Sequence, residues 1–223
     1  MHVDDALASR RSVRAFLPKP VPRELVEEIL RVASRSPSGS NIQAWYVYVV
    51  AGEARDEMVR EALKAFDETP EGNVAEHYYY PSKWREPYLG RRRALGWGLY
   101  GLLGIERGQK DKMHAQHARN YKFFDAPVGM FFAMDRDMEH GSWTDCGMFM
   151  QSVMLAARSR GLQSCAQAAW MDMHKVIRRV LGMPEDRIIV AGMSLGYEDE
   201  SARVNEFRTD RLPVDEFAYF YGF

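Results

Sequence analysis

Three arginines and a serine lie close together near the start of the chain, in the stretch SRRSVRAF at residues 9–16. An arginine side chain presents its N–H donors as a planar fork, which suits the oxygens of a phosphate group. Two more arginines, Arg208 and Arg211, follow much later in the stretch NEFRTDRLP. Each stretch alone is also typical of a solvated surface, so the pattern indicates either an anion site or exposed charge.

The overall charge limits which anion these arginines could bind. The 223 residues have a formal net charge of −1 and a pI near 6.6, so we expect no broad basic face for nucleic acid or a membrane surface. The chain has no run of about 18 apolar residues and no apolar signal segment at its start, which predicts a cytoplasmic protein. Cys146 and Cys165 stand in apolar sequence and are expected to be reduced, buried thiols. The anion is therefore expected to be a small molecule.

The loop SPSGSNIQAW at residues 36–45 could bind a flat polar ligand. Its small residues expose backbone donors, and Asn41 and Gln43 each offer both donors and acceptors, which suits the edge of a planar heterocycle. The alternative is an ordinary turn that ends a helix.

Other patterns that could indicate chemistry find no support from their surroundings. Gly96, Gly98 and Gly101 match G-x-G-x-x-G, but no strand precedes them, so close packing is the better explanation. His114 and His117 could share a helix face, yet no third ligand follows at a suitable spacing, and we predict no metal site. Neither Ser12 nor Ser38 has the flanking glycines of a hydrolase nucleophile.

The elements that must position these residues follow from the hydrophobic spacing. The pattern predicts a helix from Pro22 that ends near Pro37, a strand over 44–51, a helix over 53–68, a strand over 127–134 and a helix over 144–162 capped by Thr144 or Asp145. A helix after the capping candidate Asp172 and a buried strand over 187–197 complete the chain. We interpret residues 1–223 as one domain with helices on both faces of a sheet, and with a variable insertion at about 70–118 that contains at least one helix.

Five stretches in this order resemble the FMN-dependent nitroreductase family. They are RRSVRAF, SPSGSNIQAW, FFDAPV, GLQSCAQAAW, and GMSLGY followed by FRTDRLP. The resemblance covers about residues 9–217 and is weak only across the insertion. It implies an α+β fold, a three-layer α-β-α sandwich with a mixed central sheet, and an intertwined homodimer that binds FMN at the subunit interface.

The resemblance also implies roles for individual residues. The FMN phosphate would be bound by Arg10, Ser12 and Arg14, together with Arg211 or Arg208, and Arg11 would act only through its backbone. The partner subunit would contribute Pro37, Ser38, Gly39 and Asn41 to the flavin or its ribityl chain. A backbone N–H at Ala168 or Ala169 would lie near flavin N5, although many relatives have a glutamate where this chain has Ala168. Lys122 would stabilise the negative charge that reduction leaves at N1 and the C2 carbonyl, unless it is a solvated lysine at a strand edge.

The implied activity is the two-electron reduction of nitroaromatic or quinone-like acceptors, with NADH or NADPH as electron donor. The alternatives are a related flavoenzyme with another acceptor reaction, such as reductive dehalogenation, and a non-catalytic flavin-binding protein. The aromatic stretch at 77–105 would form part of the wall over the flavin, or its Trp84, Tyr88, Trp97 and Tyr100 would pack against the dimer.

Overall fold

The computed structural model describes residues 1–68 and 73–223. Its helices are α1 (Val3–Ser9), α2 (Arg23–Ala33), α3 (Gly52–Glu68), α4 (Tyr88–Leu102), α5 (Lys110–Ala118), α6 (His140–Arg158) and α7 (His174–Leu181). Its strands are β1 (Tyr46–Ala51), β2 (Val128–Asp135), β3 (Gln163–Gln167) and β4 (Arg187–Gly196). The first residues of the predicted insertion, 70–72, lie outside the described part of the chain.

The four strands form one sheet in the order β1-β2-β4-β3, and every neighbouring pair is antiparallel. The prediction of a mixed sheet is therefore wrong for these strands. One isolated bridge, between Ser12 and Ser164, is parallel, because the N-terminal segment follows β3 along the edge of the sheet.

Helices cover both faces of this sheet. Side chains of β2 alternate between the two faces, as the two-residue period of a strand requires. Val128, Met130, Phe132 and Met134 pack with α2 and α6, whereas Phe131 and Ala133 pack with α3 and α7. The burial pattern of β2 and β4 on both faces explains why their sequences are almost continuously apolar.

Most of the predicted elements are confirmed, but two local predictions are wrong. Helix α6 begins at His140, so Thr144 and Asp145 lie inside it and do not cap it. Helix α7 begins at His174, and Asp172 lies in the preceding 3-10 turn, Ala168–Met173, where it binds the backbone of Ala75.

Two elements were not predicted. Helix α1 has only seven residues, and Ala6 is its buried residue. The short strand β3, with the sequence QSCAQ, has polar residues at buried positions, so its pattern does not indicate a strand. From residue 73 onward the insertion contains two helices, α4 and α5, where at least one was expected.

Candidate cofactor and active site

The two arginine stretches are brought together by hydrogen bonds between distant parts of the chain. The backbone N–H of Val13 donates to the carbonyl of Ser164 at 3.2 Å, which aligns residues 10–14 with β3. The buried side chain of Asn205 accepts from the N–H of Arg14 at 2.8 Å and donates to the carbonyl of Ala15 at 2.8 Å. Asn205 therefore holds the N-terminal arginines beside the C-terminal segment that contains Arg208 and Arg211.

A cavity of about 590 Å³ lies between these segments. Its lining includes Ser12, Arg11 and four further arginines, Arg10, Arg14, Arg208 and Arg211. Among the described residues none of the four arginines forms an ion pair with a carboxylate; Arg208 donates to the carbonyl of Asn205 at 2.7 Å and Arg211 to Thr209 Oγ1 at 2.8 Å. Burial, and then the charge of Arg211, lower the pKa of Arg10. The positive charge of this arginine cavity is thus not neutralised by the described protein, which is the electrostatic condition for binding an anion.

Arg11 has a different environment from the other arginines. Its guanidinium forms an ion pair with the nearly buried carboxylate of Glu198, which also accepts from Gln163 Nε2 at 3.3 Å. The Arg11 side chain is therefore occupied, in keeping with the prediction that any contribution to the site comes from its backbone.

A second cavity, of about 480 Å³, adjoins the arginine cavity and shares Arg14 with it. Aromatic residues form much of its wall. It is lined by Arg14, Ala75, His77, Tyr78, Tyr79, Tyr80, His117, Asn120, Phe124, Cys165, Ala166, Gln167, Ala168, Ala169, Met171 and Asp172. We call it the aromatic cavity.

Ala168 and Ala169 lie at the start of the 3-10 turn Ala168–Met173, which the core holds in place. Trp170 is fully buried, stacks on Phe123 at 4.5 Å between ring centroids, and lies against Gly192, where any side chain would collide with it. The backbone N–H groups of the first residues of a helical turn have no acceptor within that turn, and the Gln167 side chain does not cap this one. Gln167 instead donates to the carbonyl of Asn120 at 2.7 Å.

The aromatic segment 77–80 is anchored at its base by a buried cluster of charges. Glu76 pairs with Arg178 at 2.8 Å and with Arg136 at 2.7 Å. Burial acts to raise the pKa of Glu76, but these hydrogen bonds and the neighbouring charges hold it below its ordinary value. Beyond this anchor Tyr78, Tyr79 and Tyr80 are exposed at the mouth of the cavity.

Some predicted residues are not brought to either of these cavities. Lys122 is exposed and lines neither cavity, and its carbonyl accepts from Arg55 Nη2 at 3.0 Å. The loop containing Pro37, Ser38, Gly39 and Asn41 lies elsewhere, fixed by a hydrogen bond from the Gly39 N–H to Asp145 at 3.1 Å. Within this chain the loop does not contact the arginine cavity, which leaves its predicted role to a partner subunit.

The other sequence patterns have structural explanations. A Cβ on Gly98 would lie 2.7 Å from the ring of Phe207, so this glycine allows α4 to pack closely, as predicted. Nothing lies within 4 Å of a Cβ at Gly96 or Gly101, so the prediction of close packing is wrong for these two glycines. His114 and His117 stack on Phe66, with centroids 4.5 and 5.4 Å away. In the described part of the chain no three histidine, cysteine, aspartate or glutamate side chains are grouped so that they could hold a metal ion.

Sequence reasoning missed several residues of the site. Asn205, Gln167 and Asn120 are single polar residues without a motif, and only their contacts reveal them. The aromatic run HYYY at 77–80 lies within the stretch 77–105 that was predicted to form a wall over the flavin, but the individual residues named there were Trp84, Tyr88, Trp97 and Tyr100. Both cysteines are free and buried as expected, and burial raises the pKa of Cys146 to about 12.

Comparison with known proteins gives a consistent result. The nitroreductase family matches residues 7–197. A chloronitrobenzene nitroreductase of Comamonas testosteroni is 42% identical over 98% of this chain and 96% of its own length. The crystal structure of the FMN- and NADPH-dependent nitroreductase NfnB of Sphigopyxis sp. strain HMH is similar over 100% of both chains, with a TM-score of 0.97 and 38% identity. NfnB of Mycobacterium smegmatis, solved in complex with NADPH, is similar over 98% of this chain and 97% of its own, with a TM-score of 0.93 and 32% identity. No helix in the described residues is long and apolar enough to span a membrane.

Proposed function

The chain belongs to the nitroreductase family and is an enzyme of that family, and from this premise we propose that it uses FMN to reduce nitroaromatic or quinone-like acceptors. Electrons come from NADPH or NADH, two at a time. The names of the relatives support the nitroaromatic acceptor, FMN and NADPH. The observation that carries the proposal is the arginine cavity, whose lining contains no carboxylate and which shares Arg14 with the aromatic cavity.

The arginine cavity binds the FMN phosphate in this proposal. A phosphomonoester has close to two negative charges at neutral pH, and guanidinium forks bind its oxygens through strong, charge-assisted hydrogen bonds. Arg10, Ser12 and Arg14 contribute from the N-terminal segment, and Arg211 or Arg208 from the C-terminal segment. Burial is the main cause of the lowered pKa of Arg10, and the positive charge of Arg211 adds to it, so an anion bound between these two guanidinium groups would offset their repulsion.

The flavin ring occupies the aromatic cavity. The chemistry that bound FMN supplies is the transfer of two electrons from a reduced nicotinamide to the acceptor. The N–H groups of Ala168 and Ala169 lie at the uncapped start of a turn and donate toward the ring edge that contains N5. Arg14 lines both cavities, so we assign to it, and not to Lys122, the positive charge that favours the reduced ring.

The protein's own contribution to the reaction is position and electrostatics. Tyr78, Tyr79 and Tyr80 provide flat surfaces on which an aromatic acceptor can stack, and each good ring contact adds about 0.5–1.5 kcal/mol beyond the area buried. The anchor at Glu76 holds the base of this wall in one arrangement. The acceptor and the nicotinamide use the same open cavity in turn.

The active form in this proposal is a homodimer of single-domain subunits, each a three-layer sandwich. The loop with Pro37, Ser38, Gly39 and Asn41 is exposed or half-buried and turned away from its own cavities, so it is available to the cavity of a partner. The exposed aromatic residues of the C-terminal tail support the same assembly.

The test is to purify the protein, identify the released flavin, and follow oxidation of NADPH and NADH with nitrobenzene, a chloronitrobenzene and a quinone. We expect bound FMN and steady turnover that depends on the acceptor. Stoichiometric FMN without turnover on any acceptor would instead support the non-catalytic binding protein.

A further inference from the structure

A second group of arginines without carboxylate partners lies on the first two turns of α4 and just before them. Arg85, Arg91, Arg92 and Arg93 are all exposed, and among the described residues none of them forms an ion pair. Several other surface arginines are paired, as in Arg23 with Glu27 at 2.7 Å and Arg160 with Glu28 at 2.7 Å. Adjacent like charges repel each other, so this group also favours an anion as its partner.

Aromatic rings hold these guanidinium groups in place. Arg92 lies over Trp84 at 4.7 Å and near Tyr80 at 6.0 Å from the ring centroids. Arg85 and Arg91 lie over Tyr88 at 5.0 and 5.8 Å. Stacking on an aromatic ring leaves the N–H donors of a guanidinium free at its edge and restricts its rotamers, so less freedom is lost when an anion binds.

The arginines of and just before α4 line neither cavity, but residues next to them line both. Tyr80, which Arg92 approaches, lines the aromatic cavity. Leu95, one helical turn after Arg91 and Arg92, lines the arginine cavity. Gly98 packs against Phe207, next to Arg208, which fixes α4 against the wall of that cavity.

We propose that this group of arginines binds the 2′-phosphate of NADPH and makes the enzyme selective for NADPH over NADH, an inference that rests on the proposed function. A nicotinamide that enters the aromatic cavity leaves the adenosine half of the molecule outside, at the mouth. The 2′-phosphate has close to two negative charges at neutral pH and three acceptor oxygens, whereas NADH has an uncharged hydroxyl at this position. Arg92 is the central ligand and Arg91 the second.

The first experiment measures binding without catalysis. Calorimetry of the FMN-loaded protein compares 2′-phospho-ADP-ribose with ADP-ribose, both of which lack the nicotinamide. We expect the parent to bind the phosphorylated ligand at least tenfold more tightly, and Arg92→Gln together with Arg91→Gln to remove about tenfold of that preference. Arg92→Lys should restore part of it, and Arg31→Gln, on the exposed last turn of α2, should change nothing.

The second experiment measures selectivity in turnover. In the double variant kcat/KM for NADPH should fall about tenfold while kcat/KM for NADH and the FMN content stay at the parent's values. The parent's preference for NADPH should also weaken as salt is raised, because exposed charges are screened.

Three results would overturn the inference: a parent that binds both ADP-ribose ligands equally, variants that lose NADPH and NADH activity alike, or variants that lose FMN with an unchanged preference. The last result would assign these arginines to the FMN phosphate. Failure of the proposed function is distinguishable, since it would appear in the parent as missing FMN, or as missing acceptor reduction with both nicotinamides, and the binding comparison does not require acceptor reduction.

Discussion

Arg10 and Arg14 lie on the N-terminal segment beside β3 and line the arginine cavity, whose described lining contains no carboxylate. A hydrogen bond to a charged group contributes about 1.5–3 kcal/mol. We therefore expect Arg10→Ala combined with Arg14→Ala to weaken FMN binding by about 100-fold or more, measured by titrating the apoprotein with FMN and following flavin fluorescence. Arg60→Ala, an exposed arginine on α3, is the matched control and should bind FMN like the parent. Full occupancy of the double variant at low FMN concentration would contradict the phosphate assignment.

Arg14 and Lys122 are the two candidates for the positive charge that favours the reduced flavin. Arg14 lines both cavities, and Lys122 is exposed outside them. At saturating FMN, Arg14→Met should make the bound flavin harder to reduce, because the reduced ring loses a nearby positive charge. Lys122→Met should leave the midpoint potential and the rate of reduction by NADPH near the parent's values. If Lys122→Met has the larger effect on the potential, the assignment made from the sequence is correct and the one made from geometry is not.

At the scale of elements, β2 and the turn before it depend on a glycine contact. The ring of Phe123, which stacks on Trp170, lies directly against Gly129, and a Cβ there would be only 2.3 Å from Cζ of Phe123. Phe123 is fully buried and has a left-handed backbone, with φ of 53°, so it has little room to move.

We expect Gly129→Ala to lower the free energy of unfolding by about 1–3 kcal/mol through overpacking, measured by urea denaturation. Gly96→Ala is the control, because nothing lies within 4 Å of a Cβ at this position inside α4. That variant should instead gain up to about 1 kcal/mol from the better helix propensity of alanine. Equal effects of the two substitutions would argue against the contact as the cause.

The packing of α5 against α3 gives a prediction about pH. His117 stacks on Phe66, and burial is the main cause that lowers its pKa from 6.5, with His114 adding to it and Asp172 opposing it. A histidine whose pKa is lowered by folding stabilises the protein above pH 6.5, and this stability is lost as the pH falls toward the lowered value.

The thermal unfolding midpoint should therefore fall between pH 7 and pH 5, and His117→Phe should reduce that fall because phenylalanine keeps the ring contact and does not titrate. His174, whose pKa burial also lowers, retains part of the dependence. His140→Gln, at a fully exposed position, is the control and should leave the pH profile unchanged. A profile as steep in His117→Phe as in the parent would exclude His117 as a source of the dependence.

At the scale of the whole molecule, the C-terminal tail exposes a group of aromatic side chains that a lone subunit would leave in water. They are Phe217, Tyr219, Phe220, Tyr221 and Phe223. We expect a homodimer in sedimentation experiments, and removal of residues 217–223 should shift it toward monomer and lower FMN content together. Val32→Ser, which removes an exposed apolar residue of α2, should remain dimeric. A monomeric parent with full FMN occupancy would contradict the shared site.

The sequence alone was enough to determine the family, the class of ligand and most of the elements. Helix starts, buried strands and basic clusters each depend on residues that are close together in the sequence. Examples are Pro22 before α2, the apolar residues of β2 and β4, and the arginines in SRRSVRAF. The same local signals predicted the free, buried cysteines and the close packing at Gly98.

Only the tertiary structure decided which of these residues meet. Asn205 joins the backbone at Arg14 to a segment 191 residues away, and no local pattern encodes such a contact. That bond and the bridge from Ser12 to Ser164 hold the segment of Arg14 against β3, and Arg14 therefore lines both cavities. The polar sequence of β3 did not predict a strand. Lys122 is exposed, whereas the rings of its neighbours Phe123 and Phe124 are buried in the core. The strands are antiparallel because their pairing depends on the path of the chain between them and not on their composition.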